Sequence, residues 1–264
     1  MCTKKKYDCP HGGEALPIGH TIAVVSGKGG TGKTSFTANT GMALARLGYR
    51  TLCLDCDVGL RNLDIALVMT DRAVMDFTDV IEGRCSLEEA AAAHPQQKNL
   101  FLLTAPARFE TANIDINAYQ KLMRKIKKQY DYCLVDAPAG LGNGFQLAIS
   151  GADRVVVVTT TDASSLRDAQ RTVMELEKFS RDQVHLVVNR CRKKLLRSLH
   201  QTIDDAIDTA GLPLLGVIPE DETMPLYAGR GVPLLLTTND CAALAYRNIA
   251  RRIDGQRVPL MKIR

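Results

Sequence analysis

Eight consecutive residues, Gly27-Lys28-Gly29-Gly30-Thr31-Gly32-Lys33-Thr34, have the make-up of a phosphate cradle. They fit the pattern G-x-x-x-x-G-K-S/T. Glycines let a backbone curl until successive N–H groups point inward at an anion. A helix that starts where the loop ends adds its unpaired N–H groups and the positive end of its dipole, with Ser35 in the first turn. At these positions Lys33 reaches the β- and γ-phosphates of ATP, and Thr34 holds Mg²⁺. Lys28 is not required by such a loop, and a solvated lysine is its plain alternative. Three carboxylates extend the chemistry. Asp136 ends the apolar run Tyr132-Cys133-Leu134-Val135, the arrangement in which a carboxylate orients Mg²⁺, partly through bound water. Asp55 and Asp57 follow a second apolar run, where a carboxylate can face the γ-phosphate and position a water molecule. Asp55 also suits a capping or lysine-pairing role.

These residues need elements to hold them. Apolar runs predict strands at Thr21–Val25, Thr51–Leu54, Leu100–Leu103, Tyr132–Val135, Val155–Thr159, Val184–Val188 and Leu215–Ile218. They are short, rich in Val, Ile and Leu, and apolar on both faces, as in a parallel sheet covered on both sides. Helical periodicity falls between them: Thr34–Leu47, ended by Gly48, then Ile114–Lys128, Leu166–Phe179, Leu195–Ala210 and Ala242–Ile253. The alternation predicts an α/β fold, a doubly wound, mostly parallel sheet flanked by helices. In such sheets ligands sit beyond the carboxyl ends of the strands. The loop, Asp55 and Asp57, Asp136, Asn189-Arg190 and Pro219-Glu220-Asp221 all follow strands, so one rim should gather them. The expected division is a flexible leader over 1–19, an ATPase domain over 20–255 and a short basic tail over 256–264.

Composition narrows the classes. A chain of 264 residues with 45% hydrophobic and 24% charged residues can bury a large core. Without tryptophan, and with 5% aromatics, it lacks stacking platforms for single-stranded nucleic acid. No apolar run reaches membrane-spanning length, and the first twenty residues have no apolar signal core. Eight cysteines suggest disulfides, but Cys53 and Cys133 fall inside strand patterns and read as small core residues of a reduced protein. Cys2, Cys9 and His11 lack a fourth ligand at zinc spacing, which favours a disordered leader. Two basic clusters, Arg190 to Arg197 and Arg247 to Arg264, read as solvated faces or as contacts for nucleic acid or anionic lipid.

The loop with its second lysine resembles the deviant Walker A motif of the MinD/ParA family of ATPases. The run Asp55-Cys56-Asp57-Val58-Gly59-Leu60-Arg61-Asn62-Leu63-Asp64 is similar to the signature of the MinD branch. So are Asp76-Phe77 with Val80-Ile81 and Gly83, Asp136 with Pro138-Ala139-Gly140, Ser164-Ser165 with Arg167-Asp168, and Val217-Ile218-Pro219-Glu220-Asp221. The resemblance covers about residues 20–260. It implies an ATP-dependent homodimer in which Lys28 reaches the partner's phosphates. Asp57 positions the hydrolytic water and Asp55 supports the site. Asn189 bonds the adenine edge and Pro219 lines the base pocket. Ser164 to Gln170 would be the surface for regulators of the MinC and MinE kind. The family's function would be placement of the division site, acting in the cytoplasm and at the inner face of the membrane. Two other readings stay open: a ParA-type partition ATPase binding DNA non-specifically, and a regulator of flagellar number or organelle position. The family's membrane-binding terminal helix has no counterpart in Val258 to Arg264, where Pro259 interrupts a helix. Membrane attachment is therefore expected to be poor.

Overall fold

The computed structural model describes residues 19–58, 60–70, 72–107, 114–192, 203–224, 233–238 and 241–261. The leader with Cys2, Cys9 and His11 lies outside them. So do Gly59, the cluster members Lys193, Lys194 and Arg197, and the last residues from Lys262 to Arg264. The predicted Leu195–Ala210 helix is described over Ile203–Ala210.

Among the described residues, eight strands form one sheet: β1 (His20–Val25), β2 (Thr51–Asp55), β3 (Ala92–His94), β4 (Gln97–Leu103), β5 (Tyr132–Asp136), β6 (Arg154–Thr159), β7 (Val184–Cys191) and β8 (Leu214–Pro219). Their order is β3-β4-β2-β5-β1-β6-β7-β8. All pairs are parallel except β3 with β4. The predicted runs match these strands to within one residue, except at β4, which starts three residues early, and β7, which runs three residues further. The sequence reading has no counterpart of β3, because Ala92-Ala93-His94 is short and lacks branched or aromatic residues.

The inner strands are apolar on both faces because helices cover both. On one face, the core includes Tyr119 and Leu122 of the Ile116–Gln129 helix, Phe145 of Asn143–Ser150, Leu166 of Ala163–Met174 and Ala206 of Ile203–Ala210. On the other, Phe36 and Met42 of the Lys33–Arg46 helix meet Tyr246 and Ile249 of the Cys241–Ile253 helix. Gly48 follows the first of these with φ +105°, the left-handed residue expected past a helix end.

Local chemistry fixes the shorter elements. Asp76 accepts from the Thr78 and Asp79 N–H groups while Asp79 accepts from Asp76 N, closing a capping box on the Phe77–Ile81 helix. Beyond Ile253, Arg252 donates to the carbonyls of Val258 and Pro259, and no helix forms over residues 256–261. Among the described residues, no helix is long and apolar enough to cross a membrane.

Candidate nucleotide site

At the carboxyl ends of the central strands lies a cleft of about 460 Å³. Gly29, Gly30, Gly32, Lys33, Thr34, Ser35, Asp57, Asn189 and Pro219 all line it. Four separate strands thus deliver predicted residues to one rim. The chain turns from β1 into the loop with Gly30 at φ +79° and Gly32 at φ +89°, conformations that glycine adopts without steric cost. Gly32 caps the Lys33–Arg46 helix and contributes no side-chain hydrogen bond, so the first helical N–H groups are left for a ligand.

Lys33 is buried, and its Nζ donates to Ser26 Oγ at 2.9 Å. Burial pushes its pKa below the lysine value, while Asp136 and Asp57 pull it back up. Asp136 lies beneath the cleft, 1% exposed. Burial raises its carboxyl to about 7, against hydrogen bonds from Thr34 and Thr37, the latter at 3.2 Å. Asp55 is fully buried and accepts from the N–H groups of Asp57 and Leu63 at 2.8 and 3.2 Å. Burial raises it to about 6 despite those bonds. It therefore braces the turn that carries Asp57. Asp57 itself is half-buried, raised by desolvation and lowered by Lys33. A buried lysine near one buried and one half-buried carboxylate, with two threonines hydrogen-bonded to the buried one, suits a phosphate chain with a divalent cation.

Several predicted residues sit elsewhere. Gly27 does not line the cleft: a Cβ there would stand 2.5 Å from the Asp168 carbonyl oxygen and 2.8 Å from Thr172 Oγ1. Its role is close packing of the loop on the Ala163–Met174 helix. Thr31 is buried, and its carbonyl accepts from Asn189 Nδ2 at 2.8 Å. Asn189 thus ties β7 to the loop as well as lining the cleft. Lys28 turns away from the cleft, donating to Ser164 Oγ at 2.8 Å, with Asp162 at 3.7 Å. The basic cluster is partly neutralised, since Arg190 and Arg192 both pair with Glu220.

The CobQ/CobB/MinD/ParA nucleotide binding domain matches residues 22–234. The septum site-determining protein MinD of Bacillus subtilis is 37% identical over 246 residues, covering 92% of each chain. The chain belongs to the MinD/ParA family. It carries that family's ATPase domain. MinD of the MinC:MinD cell division complex from Aquifex aeolicus superposes with a TM-score of 0.85 at 38% identity, over 92% of this chain and 98% of that one. MinD of Pyrococcus horikoshii, solved with Mg-ADP, gives 0.77 at 30% identity, over 90% and 96%.

Sequence reasoning missed some lining residues of this MinD/ParA site: Leu60, Asn62, Met224 and Tyr246. It also missed Thr37. The position of Thr37 four residues after Lys33 places both on the helix face toward Asp136, a periodicity that could have shown it. Nothing local marks Tyr246, which reaches the cleft from the Cys241–Ile253 helix.

Proposed function

We propose that the chain is a MinD-type ATP-driven switch that hydrolyses ATP to ADP and phosphate and takes part in placing the division site. The observation that carries this reading is the division of labour between two lysines. Lys33 stays within its own cleft beside Asp136 and Asp57, while Lys28 turns outward at the rim. A cation held outside its own cleft is placed to serve a second copy. ATP-dependent homodimerisation follows from this reading.

In the closed dimer the loop N–H groups and Lys33 hold the β- and γ-phosphates, and Lys28 of each subunit offsets charge on the other's. Thr34 and Asp136 would hold Mg²⁺, which would neutralise phosphate charge when bound. Asp57 orients the attacking water and accepts its proton, and the buried Asp55 keeps Asp57 in place. Asn189 and Pro219 flank the base. The Ala163–Met174 helix leaves Ser164, Arg167, Gln170, Arg171 and Met174 exposed, a surface suited to a regulator. The Aquifex complex motivates a MinC-class partner. The working place is the cytoplasm and the inner face of the membrane. Pairing of Arg190 and Arg192 with Glu220 favours this over a DNA-binding partition role.

The test is light scattering with phosphate-release assays on wild type and Lys28→Ala. Wild type should double in mass with ATP and Mg²⁺ and turn over. Lys28→Ala should bind ATP yet remain monomeric and inactive. A Lys28→Ala protein that still doubles in mass would remove the cross-subunit role.

A further inference from the structure

Tyr246 lines the nucleotide cleft from the Cys241–Ile253 helix, where its ring packs 6.3 Å from that of Phe36. It is fully buried, and its hydroxyl has no hydrogen-bond partner. Among the described residues that line the cleft, it alone holds a buried side-chain oxygen or nitrogen in that condition. A buried polar group left without a partner destabilises a fold. Packing explains the ring and leaves the hydroxyl unexplained.

Strand order places Tyr246 relative to the groups that line the cleft. The phosphate-handling groups follow β1, β5 and β2, on one side of the loop. Asn189, Pro219 and Asp221 follow β7 and β8, on the other, where the Cys241–Ile253 helix packs. Tyr246 therefore stands on the base side. Asn189 alone does not serve every ring nitrogen of a purine. Its Nδ2 already donates to Thr31 O, and its Oδ1 accepts from Arg190 N. One N–H and one Oδ1 lone pair remain to it, enough for a single edge of the base. A tyrosine hydroxyl adds both a donor and an acceptor. Burial, with Asp221 nearby, raises its pKa and keeps it protonated as a donor.

Resting on the nucleotide-site reading above, we propose that the Tyr246 hydroxyl donates a hydrogen bond to a ring nitrogen of the bound adenine and contributes to base selectivity. The free protein then holds a polar group that its ligand completes.

Tyr246→Phe removes the oxygen and keeps the ring. Calorimetric titration with ATP, ADP and inorganic tripolyphosphate, with thermal melts of the ligand-free protein, separates the possibilities. Expected are ATP and ADP affinities weakened about five- to tenfold, with tripolyphosphate affinity unchanged because it carries no base. The melting temperature of the ligand-free variant should equal or exceed that of wild type, since an unsatisfied group has gone. Unchanged ATP affinity would overturn the proposal. So would equal losses for ATP and tripolyphosphate, or a lowered melting temperature with normal affinity, which would mark a bond to buried water. Failure of wild type itself to bind ATP would instead refute the nucleotide site.

Discussion

Lys33 and Asp136 lie close together, and burial works against the charged form of both. Burial raises Asp136 to about 7 and Asp55 to about 6, from ordinary values near 4. The folded ligand-free protein therefore keeps protons that the unfolded chain has released, so its stability falls as pH rises from about 4 to 7. Asp136→Asn should flatten that decline, leaving stability near pH 4 little changed and raising the melting temperature at pH 8. Thermal melts across this range check it, and a variant that declines with pH as steeply as wild type contradicts it. Lys33→Ala removes the cation proposed to face the phosphates and should weaken ATP roughly hundredfold in a titration. Asp57→Ala should keep ATP and trap the dimer, read as wild-type nucleotide binding without phosphate release. The residues involved were legible because the loop and the aspartates follow strands at fixed spacing. Tyr246 was not, because a side chain arriving from some two hundred residues away leaves no local pattern.

At the scale of elements, the close seating of the loop on the Ala163–Met174 helix is the contact most sensitive to a single atom. Gly27→Ala would press a methyl group against the Asp168 carbonyl. Overpacking of that kind costs about 1–3 kcal/mol, or a melting temperature lower by roughly 3–10 °C, with nucleotide affinity falling alongside. A variant that melts and binds like wild type would show that the loop has slack there. The long helices and central strands were readable because burial imposes a regular apolar repeat. The short helices Leu63–Ala66, Leu87–Ala90 and Leu234–Thr237 were not, since four residues span about one turn and cannot display a period. Strand β3 was hidden differently: antiparallel pairing with β4 across a tight connection holds it, not the composition of its own three residues.

At the scale of the whole molecule, one sheet brings to a single rim groups that lie far apart in the chain, and the rim is where a second copy should meet the first. Mass measured with and without ATP tests this for the full chain, with Lys28→Ala as the discriminating variant. The same sheet order has a consequence for biogenesis. β1 is the first of the described strands to be synthesised, yet it sits between β5 and β6, pairing His20 with Tyr132 and Val25 with Val157. Neither neighbour exists when β1 leaves the ribosome. Translation at roughly 5–20 residues per second leaves it waiting on the order of ten seconds. During that interval a strand of Val, Ile and Ala is exposed without partners, ready to aggregate or to be held by a chaperone. Closure of these distant pairs also predicts slow refolding, because loop entropy is lost before the contacts that repay it can form. The fold that assembles a catalytic rim from remote segments must thus be completed around its own oldest strand.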